Sequence, residues 1–474
     1  GSDRVYSRGQ EAAGRLQPTK RKACLVQGAS EPAVARTLVP KSKFWNLDEG
    51  LGPLEVEALR AARIGGPKDP RQPSPEEEVC RAAALEALRQ RFSELCAVHG
   101  VKAGVSTVFF DKWHCAWLQQ AGAEALEAGL LAPKEPLLPR LGGGAAALRR
   151  LDGALVRALA FADAARVRAV AADLGEEAAH AAAALPDKLR QLQRGGHVET
   201  REAADGKSVV LRCKTTEVHV ARGHLLKLRA LYRGEDEACF LDAAFCCILR
   251  YQSVLRKGFQ GSCTAEVFAA IREAFDARFE CFASPLNCHY GAMCSVFPDT
   301  DGAFGSLGTF FALSPTSGSF QLNPPFVDDI ITAMVRRLDE LLEAADRQKD
   351  ALTFVVVVCA NEGSRSGSVA LASLRASKFF RAQVACPKHE HAYLDGDQHC
   401  SEETRISPCD TAVYILQSSR GHAERPATDH RMQQLLASFR LEGPALPVDG
   451  AKRRKAHHSQ GMKRSAASVA FLDR

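Results

Sequence analysis

The run Val355-Val356-Val357-Val358 is apolar at every position, so a strand formed there must be covered on both faces. Unbroken β-branched residues are stiff in a helix and fit a pleated sheet. A strand of this kind belongs inside a sheet with helices on either side, and the neighbouring sequence agrees. Arg278 to Phe282, Ser319 to Leu322, Leu352 to Cys359 and Thr411 to Gln417 are short runs rich in β-branched or aromatic residues. Between them the spacing predicts amphipathic helices. The clearest runs from Val327 to about Ala345, with Ile330, Ile331, Met334, Val335, Leu338, Leu341 and Leu342 on one face. Alternation of strand and helix predicts a doubly wound, mostly parallel α/β domain over residues 263–442.

Upstream the period is helical. Val79, Ala83, Leu85, Leu88, Phe92 and Leu95 recur at three- and four-residue steps, and Ser74 ahead of Glu77 predicts a capping box at their start. After Gly142-Gly143-Gly144, residues 145–193 are rich in Ala and Leu, and helical spacing resumes over 222–256. Residues 76–256 therefore read as all-α, within a helical domain spanning 76–262. Trp113 and Trp117, four apart, fit the core of that region rather than a paired-tryptophan module. Residues 1–75 read as a polar, basic extension, partly disordered, and 443–474 as a disordered basic tail.

Charge is unevenly placed. Residues 1–45 carry +6 and residues 443–474 carry +5 within a total of +6, which leaves the body near −5. Basic ends on an acidic body suit contact with a polyanion, and equally suit solubility alone. An apolar stretch of about 18 residues, as a membrane span requires, does not occur, and no signal peptide is expected. Sixteen cysteines without secretory features read as reduced thiols. Cys386, His389, His391, His399, Cys400 and Cys409 are zinc-ligating types, but their spacing fits no ordinary zinc template, so no metal is expected.

The tetrapeptide Asn323-Pro324-Pro325-Phe326 falls between a predicted strand and a predicted helix. In α/β sheets that junction lies where ligands bind, outside the carboxyl ends of the strands. The residue types suit methyl transfer to an exocyclic amine of adenine, whose lone pair is conjugated with the ring until the nitrogen pyramidalises. The Asn323 side-chain oxygen and the Pro324 carbonyl would accept hydrogen bonds from the amine. Two prolines fix an extended turn without competing amide donors. Phe326 would stack on the base. A proline turn that merely opens a helix is the simpler reading of the same residues.

Two upstream segments have a matching character. Glu280-Cys281-Phe282-Ala283-Ser284-Pro285-Leu286-Asn287 is a strand entering a small-residue turn, which lets backbone approach a cofactor closely. Phe297 to Ser306 is a loop carrying Asp299 and Asp301, suited to a ribose diol or an ammonium group, with Phe304 placed to cover an adenine. Both aspartates fit an Asx-type turn equally well. The Gly-x-Gly-x-x-Gly pattern of nicotinamide and flavin sites does not occur.

These segments together resemble the phosphorylated-CTD-interacting factor family, the cap-specific adenosine-N6 methyltransferases. The likeness rests on Glu280 to Cys288, Phe297 to Ser306, Ser314 to Phe326, His391 to His399 and Thr411 to Gln417, with weaker similarity over Leu228 to Gln252. It implies a helical domain packed on a Rossmann-like methyltransferase domain, with S-adenosylmethionine as donor. The implied substrate is RNA beginning with adenosine, often 2′-O-methylated, beside a 7-methylguanosine cap. By motif match, Asn323, Pro324, Pro325 and Phe326 would form the acceptor site, and Ala283, Ser284, Pro285, Asn287, Asp299 and Phe304 would line the cofactor pocket. The family also implies a nuclear monomer, which the basic run Lys452-Arg453-Arg454-Lys455 suits. RNA polymerase II or the capping machinery would be partners, although the family's WW module is not recognisable here. Arg149, Arg150, Arg157, Arg166 and Arg168 are candidates for cap contact or a solvated helix face. Other readings stay open: adenine methylation of another RNA or DNA, glutamine methylation of protein, or an inactive scaffold that binds RNA or polymerase.

Overall fold

The computed structural model describes residues 6–7, 34–35, 45–65, 69–98, 106–138, 164–192, 196–254, 261–326, 328–360, 367–394, 404–440 and 446–447. The first part of the chain is helical: α1 (Pro53–Ala61), α2 (Pro75–Val98), α3 (Ser106–Glu127), α4 (Ala164–Gln191), α5 (Arg222–Leu231) and α6 (Glu237–Val254). The expected capping box opens α2: the Ser74 amide donates to Glu77 Oε2 at 3.0 Å, and the Glu77 amide donates to Ser74 Oγ at 3.3 Å. Phe92, Phe110, Trp113 and Trp117 are buried together, so both tryptophans belong to this core.

Residues 76–256 are not all-α, as the sequence had suggested. Between α4 and α5 lies a three-stranded antiparallel sheet, β1 (Glu199–Glu202), β2 (Ser208–Cys213) and β3 (Thr216–Ala221), in the order β1-β2-β3. The reason is local. Val209 and Leu211 face Val220 and Val218 across the β2–β3 ladder, and all four are buried. Tight turns set the register. Asp205 accepts from the amides of Lys207 and Ser208 at 2.8 and 2.9 Å, and Gly206 takes the φ of 65° that the first turn needs. The outer strand β1 is wholly exposed.

The second part alternates strand and helix: α7 (Ala265–Phe275), β4 (Gly318–Leu322), α8 (Asp328–Gln348), β5 (Leu352–Cys359), α9 (Gly367–Ala376) and β6 (Phe380–Cys386). β7 (Ala392–Leu394), β8 (Thr404–Ile406), β9 (Thr411–Gln417), α10 (Ser419–Glu424) and α11 (Asp429–Phe439) follow. The predicted strands at 352–359 and 411–417 appear with those boundaries, and the predicted amphipathic helix appears as α8. The four valines divide between two cores. Val356 and Val358 pack with Met334 and Leu338 of α8 and Leu371 and Leu374 of α9. Val355 and Val357 pack with Phe268 and Ile271 of α7 and Leu435 and Phe439 of α11.

The sheet is mixed rather than mostly parallel. β4 and β5 are parallel, with Leu322 opposite Val356, but β9 lies antiparallel between β5 and β6. The segment from β6 to β9 carries the β7–β8 hairpin and no described crossover helix, and a chain that returns from the same end must run antiparallel. The expected strand from Arg278 to Phe282 contracts to one bridging residue. Glu280 pairs in parallel with Gln321 of β4 and with Met293, and Met293 pairs with Ser306, so the sheet continues beyond β4 in single steps. Among the described residues the cysteines are free thiols, and no helix is long and apolar enough to cross a membrane.

Leu338 lies at the centre of the α8 face with its side chain fully buried. Leu338→Ala should lower stability by about 2–5 kcal/mol, read as a shift in the denaturation midpoint at unchanged slope.

Candidate active site

β4 sinks progressively into the protein, from exposed Gly318 to fully buried Leu322, and delivers Asn323 at the carboxyl edge of the sheet. Pro324 is buried, Pro325 is exposed and Phe326 is 46% exposed. All four residues line a cavity of about 710 Å³. Ala283, Ser284, Asn287 and Asp299 join them from the other loops. The opposite wall comes from α3, where Leu118, Gln119 and Gly122 face the same space. Gln119 also donates from Nε2 to the Asp329 carbonyl at 3.2 Å, which ties α3 to the start of the helix after the tetrapeptide.

The Asn323 amide is held in a definite orientation. Its Nδ2 donates to the Gly261 carbonyl at 3.0 Å. Only the amino end of the amide can satisfy a carbonyl acceptor, so this bond decides which end is nitrogen and turns Oδ1 into an acceptor with a fixed direction. Pro325 adds no N–H beside it.

The turn after Glu280 is closed by its own side chains. The Ser284 amide and hydroxyl donate to Asn287 Oδ1 at 2.7 and 3.0 Å, and the Asn287 amide lies 3.3 Å from Ser284 Oγ. Asn287 thus shapes the turn with its oxygen while still lining the cavity. Pro285 is buried within the turn and does not reach the cavity lining.

The downstream loop departs from expectation. Phe304, expected to cover an adenine, is fully buried in the helical core, with its ring centre 5.9 Å from that of Tyr232. Aromatic burial wins there over exposure to a ligand. Asp299 borders the cavity, but its two oxygens accept from Arg250 Nη1 and Nη2 at 3.0 and 2.8 Å. Arg250 also donates to both oxygens of Glu78, at 2.6 and 2.7 Å. Burial opposes the Arg250 charge, and the pull of Asp299 and Glu78 more than offsets it, holding the group protonated. Asp301 lies deeper, accepting from the Tyr251 hydroxyl at 2.6 Å, and burial pushes its pKa up to about 6.

Other polar groups here escaped the sequence. Glu280 is buried, its pKa pushed up to about 7 by burial and held back by the amides of His289 and Tyr290 and by Lys227. Lys227, Arg250 and Tyr393 sit in apolar helical or strand patterns, where spacing alone marks them as ordinary core or surface. Their only signal is a charged or hydroxyl-bearing residue at a position whose period says buried.

In the Cys/His cluster, the two His391 ring nitrogens meet the Pro387 carbonyl at 2.9 Å and Thr411 Oγ1 at 2.7 Å. His399 and Cys400 lie outside the described residues. Among the described residues no three His, Cys, Asp or Glu side chains converge as a metal site would need. Arg149, Arg150 and Arg157, and the side chains of Arg166 and Arg168, also lie outside what is described.

Residues 227–396, which run from α5 through β7 and contain every lining residue of the sheet-side loops, match the family described as phosphorylated CTD interacting factor 1 WW domain. A human protein named mRNA (2′-O-methyladenosine-N(6)-)-methyltransferase is 39% identical over 249 residues, and its mouse counterpart is 38% identical over 249. Each alignment takes in 50% of this chain and 35% of the relative, so the chain spans about a third of the length of the curated relatives it matches. The three tryptophans of the chain, Trp45, Trp113 and Trp117, all lie before the matched segment, so the likeness concerns the α/β body and the helices beside it.

Arg250 joins α2, α6 and the Asp299 loop through one guanidinium. Arg250→Leu should leave two carboxylates in the interior without a counter-charge and cost about 3–5 kcal/mol of stability, measurable by chemical denaturation.

Proposed function

We propose that this chain is an S-adenosylmethionine-dependent methyltransferase. It acts on the exocyclic amine of the first transcribed adenosine, or 2′-O-methyladenosine, beside a 7-methylguanosine cap on RNA. The observation that carries the reading is the tethered amide of Asn323, whose acceptor oxygen is aimed by the Gly261 carbonyl at the carboxyl edge of the sheet. The named activity of the human and mouse relatives supports the same chemistry. So does the parallel pairing of Glu280, β4 and β5, which suits a Rossmann-like methyltransferase sheet.

The residues present fit the donor. The Ala283–Asn287 turn offers small side chains and close backbone at one side of the cavity, and Asp299 offers a fixed carboxylate at another. S-adenosylmethionine supplies an electrophilic methyl group on its sulfonium. The chain supplies position and electrostatics. Asn323 Oδ1 and the Pro324 carbonyl accept from the two amine hydrogens, which favours the pyramidal nitrogen and offsets the positive charge that grows on it. Phe326, at the mouth of the cavity, stacks on the displaced base and fixes the approach of its nitrogen. A largely apolar wall from α3 lowers the local polarity and strengthens both carbonyl contacts. The basic run Lys452 to Lys455 supports a nuclear location, and the family likeness supports recruitment near RNA polymerase II.

Mass spectrometry of digested products tests the reading. Capped RNA beginning with adenosine should gain one methyl group at that nucleotide, with little transfer to uncapped RNA. Methylation independent of the cap would redirect the proposal to another nucleic acid. Asn323→Ala should lower turnover by about 100-fold or more with donor binding retained. Phe326→Ala should weaken acceptor binding by about 1–3 kcal/mol, seen as a raised Michaelis constant for RNA.

A further inference from the structure

The Ser284–Tyr290 turn is gripped from outside by two buried charges that touch none of the cavity. At one end, Lys227 of α5, 1% exposed, donates from Nζ to the Leu286 carbonyl at 3.2 Å. At the other, Glu280 Oε2, in a residue 3% exposed, accepts from the His289 amide at 2.7 Å and the Tyr290 amide at 3.1 Å. The turn's internal bonds join Ser284 to Asn287 and Cys288, but they fix nothing against the rest of the protein. Those two charged side chains do, together with the Asn46 amide, which donates to the His289 carbonyl at 2.9 Å, and the Tyr290 hydroxyl, which donates to the Ala277 carbonyl at 3.2 Å. His289 adds a stacked contact with Phe268, ring centres 4.4 Å apart, which keeps the far end of the turn in place.

Burying an ammonium and a carboxylate is costly, and a short structural turn could be anchored by apolar side chains instead. Both groups hydrogen-bond the backbone of one turn, and that turn contributes Ser284 and Asn287 to the cavity, next to Ala283. The two also come from different parts of the fold: Lys227 from the helical region, Glu280 from the strand position that begins the sheet beside β4. Burial drives the Lys227 pKa down and the Glu280 pKa up, with each charge easing the burden on the other.

We infer that Lys227 and Glu280 are positioning residues for the donor site, clamping the Ser284–Tyr290 turn at its two ends so that seating of the helical region sets the shape of the cofactor pocket. This deepens the proposed function and rests on it for the identity of the ligand. The clamp itself is a statement about the turn.

Two readouts on the full chain separate these. The first is hydrogen exchange at the amides of residues 287–290, and the second is calorimetric titration with S-adenosylhomocysteine. Lys227→Met and Glu280→Leu should each speed exchange at the turn by about ten-fold or more while α8 and β5 stay protected, and should weaken S-adenosylhomocysteine by about ten-fold, the scale for losing one buried partner. Glu280→Gln, which keeps an acceptor oxygen for the two amides, should stay within about two-fold of the parent in both. The Michaelis constant for RNA should move little in any of them.

Unchanged exchange at 287–290, or an equal rise across the whole chain, would overturn the clamp. Faster exchange with unchanged S-adenosylhomocysteine affinity would overturn its positioning role. Should Lys227→Met fail to fold, the contrast between Glu280→Leu and Glu280→Gln decides alone. A parent protein that does not bind S-adenosylhomocysteine would refute the proposed function and the donor-positioning role together, while the exchange measurement would still decide whether the turn is clamped.

Discussion

One guanidinium organises the junction of this molecule. Arg250 has no exposure to solvent and yet carries a charge, which is tolerable only because Glu78 and Asp299 each meet it with both oxygens. Glu78 comes from the first long helix and Asp299 from a loop at the cavity, so the bond geometry of a planar fork sets the relation between them. The apolar core follows that alignment: Leu286, Met293, Phe297 and Phe304 of the α/β region pack into the same cluster as Phe92, Trp113 and Phe245 of the helical region. The cavity lies along this seam, with one wall from each side. A pocket built at such a seam inherits its dimensions from the packing around it, which explains why charges outside the cavity matter to its shape.

Three strands of the sheet, β4, β5 and β9, were legible in the sequence because burial leaves a one-dimensional trace, whereas β6, with its mixed pattern of burial, was not. Val355 to Val358 could only be a covered strand, and Ile330 to Leu342 could only be a helix with one apolar face. Direction was not legible. Nothing in Thr411 to Gln417 says that it runs against its neighbours, since a strand buried on both faces looks the same in either sense. The small sheet from Glu199 to Ala221 escaped for a different reason. Its strands are short, the outer one is entirely polar, and its register is set by the Asp205 turn, a feature of three residues that periodicity does not register.

The site divides in a similar way. Asn323 to Phe326 stood out because two consecutive prolines between a strand and a helix are a backbone statement as much as a chemical one, and all four residues face the cavity. The Ala283–Asn287 turn could be recognised from its small residues. What could not be read was the use each polar atom makes of its neighbours: Asn287 spends its oxygen on Ser284, Asp299 spends both of its oxygens on Arg250, and Phe304 turns inward to Tyr232. The last two outcomes depend on residues 49 and 72 positions away, which a single chain of letters does not bring together. Gln119 is the extreme case, an ordinary glutamine on a helix remote in sequence that ends up bracing the residue just past the tetrapeptide.

The outer strand of the small sheet has a bearing on how this protein behaves among copies of itself. A free strand edge exposes unpaired amides and carbonyls that a second chain could extend into a longer sheet. Here every residue of Glu199-Thr200-Arg201-Glu202 faces solvent, Arg212 on the next strand pairs with Glu199, and Arg201 pairs with Glu217 at 2.9 Å. An incoming strand would have to strip water from three charges and disturb both ion pairs before gaining its first ladder bond. The edge therefore repels its own kind, and among the described residues the sheet stops at three strands.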